Sequence, residues 1–331
     1  MMDIDFVIPW VDGADPKWRE KKNRYVSDER VSTFDAGEER YRDWGILHYW
    51  FRSIEKNTPW VRYIYLITDH QIPHFLKTDH PKLRLVFHED YIPERYLPTF
   101  SSNTIELNLH LLPGLSKHFV YFNDDFYINK PVRPDFFFQK GRPCYAYIER
   151  PLTLRYPIPQ FQHIQINDMA VLNRYFSKRT IQRHPGLGLN YRYKRHLLGN
   201  LLMLPWPNFQ NLIDEHIPYP MLLSTLMDVW NTAGDILDKT CQNKFRAQDD
   251  VNQYLFRYWD LARGNFYPHC ISPGFYNVSE ACIDECERDI RYGLHTLIAV
   301  NDSQRAKDFD MLKKRIEIAF KARYPEKSSF E

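Results

Sequence analysis

Two adjacent carboxylates, Asp124 and Asp125, follow Asn123 at the end of an aromatic and apolar run at residues 118–122. That run predicts a buried strand, and ligands of open α/β sheets bind beyond the carboxyl ends of such strands. A hard divalent cation is often held by one or two carboxylates and keeps its other coordination positions for substrate phosphates. The pair therefore predicts a metal-dependent phosphate site, with a solvated turn after the strand as the plainer alternative.

A second acidic turn, formed by Trp10, Val11, Asp12 and Gly13, follows the first predicted strand. Glycine permits a tight turn there, and the carboxylate of Asp12 is able to meet a ribose, a base or a metal ion. A simple turn with no ligand is the alternative interpretation.

Hydroxyl and amide groups are concentrated at 97–106, where a helix is predicted to begin, and they include Thr99, Ser101 and Asn103. Free backbone N–H groups and the helix dipole favour a phosphate at such a position. The alternative is a capping box, in which Ser101 or Ser102 caps the helix and Glu106 is merely solvated.

Groups suited to proton transfer and charge neutralisation occur later in the chain, namely His216, Arg246, Asp249, Asp250 and Asp302. Histidine titrates near neutrality and is able to take a proton from an attacking hydroxyl, whereas the arginine fork matches phosphate oxygens. Asp302 ends the last predicted strand and offers a further polar group at the same sheet edge. Each also has a structural interpretation, as a loop histidine, a surface ion pair or a helix cap.

Strand-like and helix-like segments alternate through the first half of the chain, which is typical of an α/β domain with a largely parallel sheet. The periodicity predicts strands at 4–10, 62–68, 83–87 and 118–122, and helices at 16–26, 41–56 and from 101 or 102 to 112. From about residue 142, prolines and frequent Tyr, Arg and His predict a loop-rich insertion. Helices near 167–184, 220–230 and 248–262, a strand at 294–300 and a closing helix at 303–322 complete the prediction.

The chain has 331 residues, of which 26% are charged and 16% aromatic, with a formal net charge of +2. This composition excludes a disordered polymer and a nucleic-acid binder that works through bulk positive charge. No signal-peptide pattern or membrane-length apolar run is present in the sequence, which predicts a cytoplasmic protein. Five cysteines argue against a disulfide framework, and His269, Cys270, Cys282 and Cys286 give only a loosely spaced zinc pattern against ordinary reduced thiols.

Together and in this order, the segments resemble the Stealth family of sugar-1-phosphate transferases. The resemblance rests on four blocks, which are Asp5–Gly13, Arg40 to about Asp135 with its Phe51-Arg52-Ser53-Ile54 and Asn123-Asp124-Asp125 segments, His216–Phe256, and Asn301-Asp302. They cover nearly the whole chain apart from the region around 142–210. The family includes bacterial capsular and exopolysaccharide phosphotransferases and is similar to the catalytic part of the lysosomal-enzyme N-acetylglucosamine-1-phosphotransferase.

The resemblance implies a single catalytic domain over 1–331 with a nucleotide-diphospho-sugar transferase-like (GT-A-like) core, a mostly parallel sheet and flanking helices. Residues 1–141 are expected to form the nucleotide-sugar-binding half and 142–210 a loop-rich and helical insertion that acts as an acceptor lid. Residues 211–331 are expected to form a helical part with a closing strand and helix that complete the site. The implied reaction moves a sugar 1-phosphate from a UDP-hexose or UDP-N-acetylhexosamine to a hydroxyl of an acceptor glycan and releases UMP.

The motifs and the resemblance together lead to a hypothesis for the residue roles. Asp12, Asp124 and Asp125 are expected to form the acidic edge that places Mg²⁺ or Mn²⁺ against the donor diphosphate, and the expected metal ligands are Asp124, Asp125 and Asp302, which closes the edge. His216 is expected to act as base or nucleophile, Arg246 to neutralise charge, and Asp249 or Asp250 to orient one of them. The expected donor-binding residues are Trp10, Asp12, Gly13, Arg52, Thr99, Ser101, Asn103 and Asn123.

The expected partners are a UDP-sugar and an acceptor glycan, with no nucleic acid, and a lipid-linked acceptor at the inner membrane face is one option. The donor sugar, the acceptor linkage and the oligomeric state stay open. A metal-dependent glycosyltransferase that attacks the anomeric carbon and releases UDP is the first alternative. A non-catalytic protein that binds nucleotide sugars or glycans is the second.

Overall fold

The chain forms three β-sheets in the computed structural model, which describes residues 2–26, 41–154, 156–303 and 306–331. In chain order the strands are β1 (Ile4–Pro9), β2 (Ile64–Thr68), β3 (Leu83–Phe87), β4 (His118–Tyr121), β5 (Phe126–Ile128), β6 (Phe138–Gln139), β7 (Arg142–Tyr145), β8 (Tyr219–Leu222), β9 (Tyr267–Pro268), β10 (Gly274–Asn277) and β11 (Leu297–Asn301). The α-helices are α1 (Pro16–Val26), α2 (Leu47–Asn57), α3 (Ser102–Leu107), α4 (Gln160–Tyr175), α5 (Arg179–Arg183), α6 (Pro185–Gly188), α7 (Leu197–Met203), α8 (Leu223–Cys241), α9 (Tyr254–Arg263), α10 (Ile283–Tyr292) and α11 (Phe309–Arg323).

The largest sheet has the strand order β3-β2-β1-β4-β8, and its pairs are parallel except for the one between β4 and the edge strand β8. β1 and β2 are buried along almost their whole length. Such continuous burial is expected of parallel strands that are covered on both faces. The mixed α/β class and the mainly parallel sheet predicted from the sequence are therefore confirmed.

The chain leaves the large sheet after β4 and enters a smaller one, in which β5 is antiparallel to β11 and β11 is parallel to β10. The backbone N–H of Val300 in β11 donates to the carbonyl of Asp125 at 2.9 Å. Phe122, which precedes the turn, is fully buried and its ring centroid lies 4.8 Å from that of Phe6 and 5.3 Å from that of Trp50. The turn at 123–125 is thus held between two sheets and starts from a packed aromatic core.

The later helices and strands differ most from the sequence prediction. Residues 220–222, predicted as the start of a helix, belong to strand β8, and α8 follows from Leu223 to Cys241. A short apolar segment fits a buried strand and a buried helix equally well, and the pairing of β8 with β4 decides between them. The helix predicted near 167–184 corresponds to α4 and α5, and α6 and α7 add helices to the insertion that the sequence did not indicate.

The boundaries of several predicted helices also shift. The helices predicted to begin at 41, 248 and 303 begin at Leu47, Tyr254 and Phe309, and the helix predicted to reach 112 ends at Leu107. Arg40 of the second resemblance block and positions 304 and 305 of the closing helix lie outside the described residues.

Within the described ranges, no helix combines the length and the apolar character that crossing a membrane requires. All five cysteines are free thiols. Cys270 lies near Glu215, with Sγ 3.8 Å from Oε1, whereas Cys282 contacts the carbonyl of Asn277 at 3.2 Å. Burial raises the pKa of the Cys270 thiol to about 11, so the thiolate that zinc requires is disfavoured.

Candidate active site

The carboxyl ends of β1 and β4 bring two of the predicted acidic turns to one sheet edge. Because these strands are parallel neighbours, Asp12 after β1 and Asn123–Asp125 after β4 emerge on the same side. Strand β8 runs the opposite way, and its first residue, Tyr219, pairs with Tyr121, the last residue of β4. A residue just before β8 therefore lies beside the residues that follow β4, which is how His216 reaches the acidic turn.

His216 and Asp125 form a pair, with His216 Nε2 at 3.4 Å from Asp125 Oδ2. The imidazole is enclosed by the rings of Phe126 and Phe275, whose centroids lie 4.8 and 5.2 Å away at nearly perpendicular angles. Its backbone has a φ of 46°, in the left-handed region, and its N–H donates to Asp214 Oδ1 at 2.9 Å. Two aromatic walls and a fixed backbone thus aim the ring nitrogen at Asp125.

The pKa of His216 reflects opposing effects. Burial lowers it, but the hydrogen bond to Asp125 and the charges of Asp125 and Asp214 outweigh burial, so the pKa is raised above its ordinary value of 6.5. The carboxylates would therefore stabilise the imidazolium that forms when this histidine accepts a proton.

The carboxylates of the acidic turn at 124–125 lie close to other carboxylates that raise their electrostatic energy. Asp124 is accessible to solvent, yet the surrounding protein and the charges of Asp125 and Asp43 raise its pKa to about 7. Burial raises the pKa of Asp43 as well, and Asp12 adds to that effect. Asp125 Oδ1 is buried and has no hydrogen-bond partner. Like charges at short range together with an unpaired buried oxygen are conditions that a bound cation relieves.

These observations fit a divalent cation held by Asp124 and Asp125. Among the residues that the structure describes, no group of three His, Cys, Asp or Glu side chains is placed to hold a metal. Mg²⁺ commonly uses only one or two carboxylates and takes substrate phosphates and water for its other positions. Two carboxylates at an open edge are sufficient for a cation of this kind.

Asp302, the third predicted metal ligand, lies in the same neighbourhood but is engaged by a cation of the protein. Arg42 Nε lies 2.8 Å from Asp302 Oδ2 and Arg42 Nη2 lies 3.0 Å from Oδ1. The Ser303 N–H also donates to Oδ1, at 2.7 Å. A bidentate arginine pair occupies both carboxylate oxygens. The structure therefore places Asp302 as the partner of Arg42.

The loop with Thr99 and Ser101 is joined to the loop with Arg246. The Phe100 N–H donates to the carbonyl of Lys244 at 2.9 Å, and the rings of Phe100 and Phe245 stack with centroids 5.3 Å apart. Arg246 Nη2 donates to Ser102 Oγ at 2.5 Å. Two segments that are distant in sequence thus present an arginine and several hydroxyl groups together.

Tyr41 connects these loops to the first acidic turn. Its hydroxyl donates to the carbonyl of Phe100 at 3.0 Å, and its own carbonyl accepts from the Gly13 N–H at 2.8 Å. A Cβ atom at Gly13 would lie 2.2 Å from that carbonyl oxygen, so glycine is required for this approach. Asp12 is fixed from the other side, since its N–H donates to Gln71 Oε1 at 2.9 Å.

Asp250 is buried beneath the Arg246 loop and accepts three hydrogen bonds, from Asn103 Nδ2 at 2.9 Å, Asn243 Nδ2 at 2.7 Å and the Ala247 N–H at 2.9 Å. Burial outweighs these bonds and raises the pKa of Asp250 to about 6. Asn103 was predicted to bind the donor, but its amide group donates to this carboxylate. Asp250 and Asn103 thus hold the two loops in position.

Five other predicted site residues have structural surroundings that differ from the predicted ligand contacts. Arg52 donates to both carboxylate oxygens of Glu331, at 2.7 and 2.6 Å, and does not join the acidic edge. Asp249 is exposed and pairs with Lys239 at 2.5 Å. The indole N–H of Trp10 is buried near Asp43 but lies outside hydrogen-bond geometry. Thr99 and Ser101 are buried, and Ser101 Oγ has no partner.

The structure adds residues that the sequence did not single out. Asp214 organises His216, and the Asp-x-His spacing is a signal that could have indicated it. Glu106, which the capping-box alternative left solvated, is buried and accepts from the Tyr121 hydroxyl at 2.9 Å. Burial raises the pKa of Glu106 to about 7, although the charge of Arg246 opposes this rise. Glu106 thus lies between β4 and the Arg246 loop.

Comparison with known proteins decides the family. Residues 2–29 match the model described as Stealth protein CR1, conserved region 1, and residues 40–144 match Stealth protein CR2, conserved region 2. The chain is 40% identical over 331 residues to the capsular polysaccharide phosphotransferase WcwK of Streptococcus pneumoniae, with 99% of each chain covered.

The chain belongs to the Stealth family. It is accordingly an enzyme of the phosphotransferase type. It is also 39% identical to the receptor polysaccharide phosphotransferase WefC of Streptococcus gordonii, covering 99% of this chain and 98% of that one. An exopolysaccharide phosphotransferase of Lactiplantibacillus plantarum is 38% identical, with 99% and 96% covered. Among solved structures, apo mouse xyloside xylosyltransferase 1 aligns with 91% of this chain and 98% of its own at 10% identity and a TM-score of 0.38, too low to support an argument.

The two matched Stealth regions contain the acidic edge. Region 1 includes Asp12 and Gly13, and region 2 includes Asp43, Thr99 to Asn103 and Asn123 to Asp125. His216 lies beyond both, and its place in the site rests on the pairing of β8 with β4 and on its contact with Asp125.

Replacing Asp250 with alanine in this Stealth enzyme is expected to lower the free energy of unfolding by about 3 kcal/mol, because buried donors lose their acceptor. The affinity for the nucleotide sugar is expected to fall as well, since the loop with Arg246 loses its anchor. Urea unfolding and isothermal titration with UDP-GlcNAc and UDP-glucose measure the two effects.

Asp249→Ala is the matched control, because it removes the adjacent carboxylate at the exposed pair with Lys239. Stability and donor affinity are expected to stay near those of the unchanged protein. Equal losses in the two variants would contradict the anchoring role of Asp250.

Proposed function

We propose that this enzyme transfers a sugar 1-phosphate from a UDP-hexose or UDP-N-acetylhexosamine to a hydroxyl of an acceptor glycan, with release of UMP, in capsular or exopolysaccharide synthesis. The proposal rests on one observation above all, the His216–Asp125 pair beside Asp124 at the carboxyl edge of the sheet. Relatives named as capsular, receptor and exopolysaccharide phosphotransferases support it. In this proposal the parallel sheet is a GT-A-like nucleotide-sugar-binding core, and the enzyme works in the cytoplasm.

The proposed chemical step is a displacement at the β-phosphorus of the donor. His216 Nδ1, the ring nitrogen that does not face Asp125, takes the proton of the acceptor hydroxyl while Nε2–H donates to Asp125, and the hydroxyl oxygen forms a bond to the β-phosphorus. The bond between that phosphorus and the oxygen bridging to the α-phosphate breaks, and UMP leaves with the electron pair. Asp125 and Asp214 stabilise the resulting imidazolium, in keeping with the raised pKa of His216.

Asp124 and Asp125 are the proposed ligands of Mg²⁺ or Mn²⁺, which when bound supplies neutralisation of the diphosphate charge. The bidentate, partly buried ion pair of Asp302 with Arg42 gives that aspartate a different role, which is to fix Arg42 beside the acidic edge. The donor nucleotide is proposed to lie along the turn of Asp12 and Gly13, as ligands do at the carboxyl ends of parallel strands.

Arg246 is the proposed cation for the phosphoryl oxygens in the transition state. Its side chain is half-buried and reaches Ser102 Oγ at the start of α3. The charge of Arg246 also opposes the rise in the pKa of Glu106 that burial causes. An arginine that is already in position stabilises the charge that develops in the transition state without having to move. Such electrostatic stabilisation accounts for most of the catalysis in phosphoryl transfer.

The decisive experiment identifies the released nucleotide. The purified protein is incubated with single UDP-sugars, Mg²⁺ or Mn²⁺, and a mixture of glycan acceptors, and the products are separated and identified by mass. We expect UMP and a phosphodiester-linked product, both dependent on metal and acceptor. Release of UDP with an ordinary glycosidic product would replace the proposal with a glycosyltransferase reaction, and donor binding with no turnover for any acceptor would favour a binding protein.

A further inference from the structure

One segment of the chain is rich in exposed apolar side chains. Half of the exposed large apolar residues in the described part of the chain lie between 154 and 206, and they are Leu154, Tyr156, Phe161, Tyr191, Leu198, Leu201, Leu202 and Trp206. Isolated exposed apolar residues are ordinary, but a contiguous group of them marks an interaction surface.

The group is densest on α7 and the residues that follow it. Leu198, Leu201 and Leu202 are 65%, 50% and 62% exposed, and Trp206 is 47% exposed. The leucines have the spacing of one helix face, whereas Asn200 and Met203 of the same helix are buried. We name Tyr191, Leu198, Leu201, Leu202 and Trp206 the α7 face.

The buried side of α7 is anchored by polar groups. Asn200 Nδ2 donates to the carbonyls of Tyr147 and Gly188 at 2.6 and 2.8 Å, and its Oδ1 accepts from the Glu149 N–H at 3.0 Å. Lys178 is fully buried, pairs with Glu149 at 2.8 Å and donates to the carbonyl of Met203 at 2.7 Å. These contacts hold the helix with its leucines outward, so the protein does not bury that face itself.

The charge of the same region is strongly asymmetric. Residues 150–213 contain nine Lys or Arg and a single acidic residue, a net charge of +8, so the rest of the chain, whose total is +2, carries −6. The one acid, Asp168, is fully buried. Lys194 and Arg195, which lie three and two residues before the start of α7, are exposed. The apolar face is therefore flanked by cations that no exposed acid of its own segment neutralises.

We propose that the α7 face, with Lys194 and Arg195, is a docking surface for an anionic lipid bilayer. Exposed leucines and a tryptophan suit the boundary between head groups and acyl chains, and adjacent cations suit anionic head groups. Charge complementarity selects this occupant over a second copy of the chain, because two such faces would bring like charges together. The inference does not depend on the reaction that the enzyme catalyses.

Flotation with lipid vesicles tests the proposal. The protein is expected to float with vesicles of phosphatidylcholine and phosphatidylglycerol, to float weakly with phosphatidylcholine alone, and to be released by high salt. Leu198→Gln with Leu202→Gln is expected to weaken binding by about tenfold or more, from the apolar area removed. Lys194→Gln with Arg195→Gln is expected to weaken it about fivefold for each charge.

Ile318→Gln is the matched control, since Ile318 is 47% exposed on helix α11 and lies outside the α7 face. It is expected to bind vesicles as the unchanged protein does, and all variants should retain the unchanged thermal unfolding midpoint. Equal binding by the leucine variant and the unchanged protein would overturn the proposal. So would a dimer in light scattering that dissociates in the leucine variant, since the face would then be a contact between copies.

Discussion

The His216→Asn variant is expected to lose about 10²- to 10⁴-fold in kcat for sugar-phosphate transfer, the usual contribution of a positioned general base. Asparagine is chosen because position 216 has a φ of 46°, a conformation that asparagine tolerates better than alanine does. Donor affinity should change little, since the imidazole is proposed to act on the acceptor hydroxyl. Steady-state rates of UMP release and titration calorimetry with the donor measure the two quantities.

His74→Asn is the control for this variant, because His74 is an exposed histidine and makes none of the contacts described for His216. Near-normal turnover by His216→Asn would remove this residue from the mechanism. The unchanged enzyme should also show a decrease in kcat/KM as the pH falls through the raised pKa of His216, because the protonated ring does not accept a proton.

Base and nucleophile are separable roles for His216. A nucleophile would carry the sugar phosphate covalently, so quenching the enzyme with labelled donor in the absence of acceptor would leave label on the protein. A base would leave none, and the configuration at phosphorus in the product would be inverted by the single displacement. The contact of Nε2 with Asp125 suits a base, since the carboxylate stabilises the protonated ring.

The large sheet was predictable because each of its central strands is a short apolar run between turn signals. The ends of strands β1 to β4 lie within two residues of their predicted positions. Strand β8 was not predictable in the same way, because its four residues run without a break into the helix α8. Its identity depends on pairing with β4, which is a contact across about 100 residues of sequence that no local pattern contains.

For the candidate site, too, the sequence indicated which side chains lie at the sheet edge but not how each loop residue is oriented. Asp12, Asp124 and Asp125 follow strands, so their shared edge could be inferred from the order of the segments. Asp249 and Asp250 were indistinguishable as neighbours in sequence, yet one pairs with Lys239 at the surface and the other is buried under the Arg246 loop. Which of two adjacent carboxylates faces inward depends on the path of the loop, and a single sequence does not specify that path.

Asp125→Asn is expected to reduce transfer by about 10²- to 10³-fold, because the change removes the charge that faces His216 and that the proposed metal ion would need. Metal affinity should fall by more than the roughly 10- to 100-fold that outer-shell substitutions cost. The pKa of His216 should fall too, because burial lowers it and the charge of Asp125 no longer raises it. The acidic limb of the pH profile should therefore move to lower pH. Mn²⁺ titration followed by electron paramagnetic resonance and the pH dependence of kcat/KM measure these effects independently.

Asp302→Asn tests, in the same Mn²⁺ assay, whether the metal ligands are Asp124 and Asp125 alone or also include Asp302. In the structure its carboxylate is held by Arg42, so Mn²⁺ affinity should remain close to that of the unchanged enzyme, whereas Asp124→Asn should weaken it as Asp125→Asn does. A loss in Asp302→Asn as large as in Asp125→Asn would mean that Arg42 releases Asp302 when the metal binds. Asp125→Asn could instead keep the Mn²⁺ affinity of the unchanged enzyme and still shift the pH profile. Asp125 would then be a positioning residue for His216, and the metal ligands would be Asp124 and the donor diphosphate.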